Sequence, residues 1–491
     1  MWQIDPERLA AIFLYEKQNP LIFSSGLFIF LFLAFLIVYS LLRKRDTARI
    51  LFVTLFSYYF YYKSSGLYFF LLGVVSASDF LIARRIYNTE SKRMRISMLS
   101  LSLGINLGLL AYFKYTNFFM GIFSGSDGFV PLDIFLPVGI SFFTFQSLSY
   151  TIDVYRKRIR PLDRFLDYAF YVSFFPQLVA GPIVRARDFI PQIRRKLFVS
   201  REMFGEGCFF IFSGLFKKAV ISDYISINFV ERIFENPGLY SGIENLFGVY
   251  GYTLQIYCDF SGYSDMAIGI ALLLGFRFPI NFDSPYQSTS ITEFWRRWHI
   301  SLSSWLKDYL YIGLGGNRKG KWRTYANLMI TMLLGGLWHG ASWNFVVWGG
   351  LHGIALAFHK GWRSMRGVDK TYKSSGWKKT GAVILTFHFV CLGWIFFRNN
   401  DFHSSVAMIR SIFTNFSPGV FPGLVSAYSP VFVLMLAGFI LHFLPRFFET
   451  GFKNFMIQLP LALKIVVFAI LAYAIMQIKS SDIQPFIYFR F

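Results

Sequence analysis

Charge is scarce in this sequence. Only 15% of its 491 residues are Asp, Glu, Lys or Arg, against about 25% in soluble chains, so the chain has too little polar surface to face water on every side. Acidic residues are scarcer still, 27 against 49 Lys and Arg. Cysteine is limited to Cys208, Cys258 and Cys391, with no C-x-x-C pair and no histidine at ligand spacing. That argues against a disulfide framework or a zinc site, and no metal is expected. The three thiols read instead as small apolar packing groups in helices. Internal repeats and low-complexity tracts are also missing.

What is present is oil-like. The chain is 55% hydrophobic and 20% aromatic, with a mean hydropathy of +0.46. A soluble chain of this length would suggest three domains, but hydrophobic runs of spanning length recur throughout, and they point to one integral membrane domain. The net charge of +22 comes without a nucleic-acid-binding motif, so no nucleic acid is expected. Basic residues cluster in short stretches between apolar runs, as the positive-inside rule requires. An added attraction for an anionic cytosolic substrate is the alternative use of that charge.

Leu21 to Leu42 is long enough to span and is followed by Arg43-Lys-Arg45 without a small-residue cleavage site, so it reads as a span rather than a removed signal. Residues 1–20 are expected to lie along the interface. Leu51 to Tyr62, Leu67 to Ile82, Ser97 to Phe113 and Ile134 to Ile152 follow as spans, with a polar loop at Gly125 to Asp133. Tyr168 to Val184 is apolar but has basic flanks on both sides. Phe175-Pro176 and Gly181-Pro182 break it, which predicts a bent or re-entrant segment shielded from lipid by its neighbours. Met203 to Phe216 and Leu246 to Phe276 continue the series, the latter with a polar interruption at Cys258 to Asp265. Trp362 to Lys379 reads as a basic loop, and Val383 to Phe397, Pro430 to Phe447 and Leu459 to Ile478 as the last spans. Roughly eleven spanning or re-entrant segments of about 20 residues each result.

Ser290 to Phe358 is the stretch that carries chemistry. Ser290-Ile-Thr-Glu293 fits a capping box. Trp295, Trp298, Leu302, Trp305 and Tyr309 then recur at spacings of 3 and 4, which predicts one continuous helix with a Trp-rich face lying in the headgroup plane. Gly313, Gly315 and Gly316 signal its end. His299 falls near the apolar edge of that helix, and spacing alone favours an imidazole that packs its ring and bonds a backbone carbonyl.

From Thr324 to Phe358 there is no Asp, Glu, Lys or Arg, and His339 stands inside this run, in Gly335-Gly-Leu-Trp-His-Gly340. An ionisable group there is a functional hypothesis by default. One helix over the whole run would be about 52 Å long against a hydrocarbon core of about 30 Å, so a break is expected, at Gly335-Gly336 or Gly349-Gly350. A desolvated imidazole stays neutral and able to take a proton, as a general base must. A helix-packing histidine bonded to a neighbouring span is the competing reading. His352, His359, His388, His403 and His442 read as structural. Asp259, Asp265 and Asp308 are expected to pair with Lys or Arg, with orientation of an imidazole as a further role for Asp308.

Taken together, Phe294-Trp-Arg-Arg-Trp-His-Ile-Ser-Leu-Ser303, Trp305-Leu-Lys-Asp-Tyr-Leu-Tyr-Ile312, Leu314-Gly-Gly-Asn-Arg318 and Gly336-Leu-Trp-His-Gly340 resemble the membrane-bound O-acyltransferase (MBOAT) family, in its bacterial alginate O-acetyltransferase-like branch. Pro137 to Phe142, Phe175 to Pro182 and Asp259 to Asp265 add to the match. The resemblance implies an all-α polytopic membrane protein, a helical bundle with re-entrant and interfacial helices around a central tunnel. It also implies one transmembrane domain over 21–491, with core motifs at about 137–360.

By the same resemblance, His339 matches the family's catalytic histidine and His299 its second active-site position. Trp298, Trp338, Asp308, Arg296, Arg297 and Arg318 would line the tunnel or the CoA entrance. Acetyl-CoA would be the donor, used as a substrate with no permanently bound cofactor. The acetyl group would cross the bacterial inner membrane to an alginate-like polysaccharide, through a periplasmic SGNH-type acetyltransferase partner and the polysaccharide synthesis machinery, with membrane lipid around the protein. Peptidoglycan O-acetylation and D-alanyl transfer to teichoic acid are the alternatives within the family. A transporter without covalent chemistry is the alternative outside it. Neither His299 nor His339 has an acid five positions later, which argues against the His-x4-Asp glycerolipid acyltransferases.

Overall fold

The computed structural model describes residues 12–17, 20–124, 130–367, 375–478 and 486–487. Among these residues every regular element is helical. Most of the expected interfacial segment at 1–20, the core of the polar loop at 125–133 and part of the basic loop at 362–379 lie outside the described residues. The chain divides into two compact units, one formed mainly by residues 1–207 with 267–278, the other by 208–266 with 279–481.

In the first unit, helix α1 (Gly26–Leu41) buries Phe28, Phe32, Phe35 and Tyr39. That spacing of 4, 3 and 4 is one helical face. Phe30, Leu33, Ile37 and Leu41, on the other faces, are exposed apolar side chains, as a helix bordered by lipid requires. α2 (Asp46–Ser65) and α3 (Phe69–Asn88) follow, then α4 (Lys92–Leu110) and α5 (Ile140–Tyr155). Asp79, fully buried in α3, accepts from Ser102 Oγ at 2.6 Å and Asn106 Nδ2 at 2.8 Å, both on α4. These bonds offset the cost of burying a carboxylate and lock the two helices in register.

The proline-broken segment behaves as its sequence predicts. α6 (Phe165–Ser173) stops, a short turn of helix runs Phe175–Leu178, and residues 167–186 are buried throughout. Side chains take up the backbone groups that the prolines release: Phe175 N donates to Ser57 Oγ at 3.1 Å, and Tyr171 Oη donates to the Val184 carbonyl at 3.2 Å. Phe175 packs among the rings of Phe35, Phe56 and Phe60 with centroids 5.1–5.8 Å apart. Irregular backbone at membrane depth is tolerated only when covered by protein in this way.

α7 (Gly242–Leu273) is 32 residues long, and its part up to Met266 belongs to the second unit. The polar stretch Cys258 to Asp265 does not interrupt it. Its charges are met from the preceding helical segment: Lys218 Nζ lies 2.5 Å from Asp259 and 2.7 Å from Asp223, and Lys217 Nζ lies 2.7 Å from Asp265. The expected pairing of Asp259 and Asp265 with lysine therefore holds. All three cysteines are free and buried.

Three helices among the described residues are long and apolar enough to cross a membrane, at 46–88, 92–124 and 376–398, or four if the pair at 418–443, bent by 97°, counts as one span. By length and composition this is fewer than the roughly eleven spanning or re-entrant segments expected. Several of the expected spans are short, such as α1, or carry the polar groups just described on buried faces.

Candidate active site

The predicted continuous helix after Ser290 is broken at its centre. α8 (Ile291–Arg297) ends, His299 adopts a left-handed backbone with φ +42°, and α9 (Ile300–Trp305) begins, continuing as a wider π-helical turn over Leu306–Tyr311. The kink is held from outside. Asn281 accepts through its carbonyl from Ile300 N at 2.9 Å, and through Oδ1 from Ser301 N at 3.2 Å and Ser301 Oγ at 2.9 Å. Asn281 Nδ2 in turn donates to Ser264 Oγ on α7 at 3.1 Å. Asp283 N donates to the Arg297 carbonyl at 2.9 Å on the other side of the break. Backbone groups left over by the kink are thereby paired.

As a result, the Trp-rich stripe does not lie at a lipid headgroup surface. Trp298, Trp305 and Tyr309 are buried in protein. Ser290 Oγ caps the Glu293 amide at 3.3 Å, but Glu293 reaches back to Thr289 rather than to Ser290, accepting from Thr289 N at 2.9 Å. The Glu293 carboxyl is half-buried, which alone would raise its pKa. The bonds from Thr289 and the Arg297 guanidinium at 2.7 Å outweigh that and hold it below its ordinary value.

α10 (Gly320–His339) runs unbroken through Gly335-Gly336 and stops at His339 itself. The chain turns over Gly340 to Ser342 into α11 (Trp343–Met365). The expected break therefore exists, but at Gly340, and the glycine pairs do other work. A Cβ on Gly336 would overlap the Phe345 carbonyl, and one on Gly349 the Met332 carbonyl. Both glycines lie where α10 and α11 touch backbone to backbone, so they permit the close crossing rather than a bend. A side chain at Gly340 would overlap the Phe345 ring, which is why the turn after His339 takes glycine.

These two breaks bring the sequence-predicted residues together. His299 is fully buried and His339 is 2% exposed. Trp338 packs against both, its ring centre 6.1 Å from that of His299 and 5.0 Å from that of His339. His299 packs edge-on against Phe260 at 4.6 Å, and His339 against Trp348 and Phe397, both at 5.1 Å. Trp298 closes the wall against Trp394 at 4.9 Å and Phe282 at 5.0 Å. Two imidazoles thus share one buried aromatic cluster, where hydrogen bonds and charges act more strongly than in water.

The predicted basic residues lie outside that cluster. Arg296 and Arg318 are exposed, whereas Arg297 is engaged by Glu293 and by the Asp283 carbonyl at 3.3 Å. The Asp308 carboxylate stands 3.7 Å from the Lys307 ammonium. No group of three metal-ligating side chains occurs among the described residues.

Two histidines assigned only structural roles from sequence belong to the same cluster. His352 is fully buried, and its Nδ1 accepts from Trp295 Nε1 at 3.3 Å. His442 Nε2 accepts from Tyr286 N at 3.1 Å, and Tyr286 Oη accepts from Trp394 Nε1 at 3.2 Å. The i, i+4 spacing of Trp348 and His352 on α11 was the one sequence signal for the first. For His442, 156 positions from its partner, there was none.

The family model described as "MBOAT, membrane-bound O-acyltransferase family" matches residues 140–398, which include His299, His339 and the aromatic residues around them. The chain belongs to the membrane-bound O-acyltransferase family. This MBOAT protein is 40% identical over 403 residues to the probable alginate O-acetylase AlgI of Pseudomonas putida, covering 80% of each chain. It is 38% identical over 437 residues to the peptidoglycan O-acetyltransferase of Helicobacter pylori, covering 82% of each. A more distant likeness, 30% over 288 residues, links it to the teichoic acid D-alanyltransferase of Bacillus subtilis, covering 56% of this chain and 71% of that one. The MBOAT chain is a multi-pass membrane O-acetyltransferase.

Proposed function

We propose that the protein takes the acetyl group of acetyl-CoA from the cytosolic side of the inner membrane and passes it outward for O-acetylation of an alginate-like extracytoplasmic polysaccharide, with His339 as general base. One observation carries the reading: His339 and His299 both pack against Trp338 in a single buried aromatic cluster, inside the part of the chain that matches the acyltransferase model.

A thioester is already activated, so the protein must supply a base for the acceptor hydroxyl and donors for the tetrahedral oxyanion. His339 takes the hydroxyl proton as the oxygen attacks the thioester carbonyl. The tetrahedral intermediate collapses, the carbon–sulfur bond breaks, and the same proton is returned to the departing CoA thiolate. His299 and Trp298 position the thioester. Exposed Arg296 and Arg318 attract the CoA phosphates from the cytosolic side. A passage through the bilayer brings donor and acceptor to His339 from opposite faces, and an SGNH-type acetyltransferase in the periplasm completes delivery.

The 38% identity to a peptidoglycan O-acetyltransferase over 82% of both chains favours a second reading, with peptidoglycan as the acceptor. Radiolabelled acetyl-CoA supplied to membranes containing the protein and its partner tests both. The proposal expects base-labile label in an alginate-type polymer, and label confined to peptidoglycan would favour the second reading. No ester label in either, with transport of an intact solute instead, would contradict acyl transfer by this protein.

A further inference from the structure

At the meeting of α11 with the helix Gly376–Arg398, two buried N–H groups lie close to the same glycine. His352 is fully buried and Trp348 is 1% exposed. An indole nitrogen can only donate, so the 3.3 Å bond from Trp295 Nε1 to His352 Nδ1 fixes the neutral imidazole with its proton on Nε2. Among the described residues, neither His352 Nε2 nor Trp348 Nε1 has a hydrogen-bond partner. Both atoms lie against Gly393. A Cβ at that position would stand 3.2 Å from His352 Nε2 and 3.6 Å from Trp348 Nε1, so the absence of a side chain at residue 393 is what keeps a methyl group off both donors. Buried donors are almost always satisfied, and two left together call for a shared acceptor.

We propose that Trp348 Nε1–H and His352 Nε2–H form a two-donor site for one uncharged oxygen. The ligand class follows from the chemistry. Two N–H donors with no acceptor between them select an acceptor atom. Trp295 holds the imidazole in the tautomer that donates. Aromatic walls and the lack of a compensating cation favour a neutral oxygen over an anion. Two sources supply such an atom: an ordered water, which needs two to four polar partners, or the carbonyl of the acyl donor. His339 packs against the same indole with ring centres 5.1 Å apart, which puts the donor pair near the proposed base. The water source stands independently of the proposed function, whereas the carbonyl source rests on it.

The test is a pair of high-resolution cryo-EM maps of the full-length protein in nanodiscs, one without ligand and one with a non-hydrolysable ketone analogue of acetyl-CoA. An oxygen peak within hydrogen-bonding distance of both nitrogens in the ligand-free map identifies a water. A peak there only with the analogue, continuous with its ketone, identifies the acyl carbonyl. Gly393→Ala, which places a methyl beside both donors, should abolish the peak in either map. Maps of the wild type with no density at this position in either state would overturn the proposal, as would a peak unchanged in Gly393→Ala. Neither result depends on turnover, so failure of the site and failure of the acetyl-transfer reading are separable.

Discussion

The carbonyl oxygen of Phe345 occupies the space that a side chain at Gly336 would need. This contact sets how closely α10 and α11 cross, and therefore where His339 emerges. Gly336→Val should lower stability by roughly 1–3 kcal/mol or more, the usual cost of overpacking. Gly350→Ala is the control, since its Cβ would meet only Leu333 Cδ2 at an ordinary 3.8 Å. Thermal unfolding in detergent should separate the two, and equal midpoints would show that the helix pair has slack.

Lys218 sits between Asp259 and Asp223 with almost no solvent contact. Removing one partner of a buried pair typically costs about 3–5 kcal/mol, because the charge left behind stays desolvated. Lys218→Met should therefore reduce folded protein in the membrane sharply. Adding Asp259→Asn to that variant should recover part of the loss. If the double variant is less stable than the single one, the pair does not act as a compensated charge.

His299 is one of four non-glycine residues with positive φ among those described, and a branched side chain is strained there by roughly 1–3 kcal/mol. His299→Asn tolerates this backbone and should fold while losing most acetyl transfer. His299→Val should lose stability as well. A wild-type rate in His299→Asn would return the imidazole to a packing role.

Much of this was legible in the sequence, for reasons that differ by residue. The proline-broken segment at 168–184 could be read because proline acts locally. The lysine pairing of Asp259 and Asp265 followed from the cost of an unpaired charge. The break at His299 could not be read, because it is imposed by Asn281 and Asp283 from a separate segment, while the local Trp spacing favours a continuous helix. Gly335-Gly336 misled for a related reason: a glycine that permits close helix contact carries the same letter as one that permits a bend. His352, read as structural, packs against Trp348, which also packs against His339, a shared contact that spacing alone does not reveal.

Acetyl transfer by the purified protein and its partner, compared between wild type and His339→Ala, tests the central claim most directly. Loss of a general base should slow transfer about 10²–10⁴-fold, with the variant inserted in the membrane at wild-type level. Turnover equal to wild type would show that His339 does not draw the proton from the acceptor, and the proposed chemistry would fail.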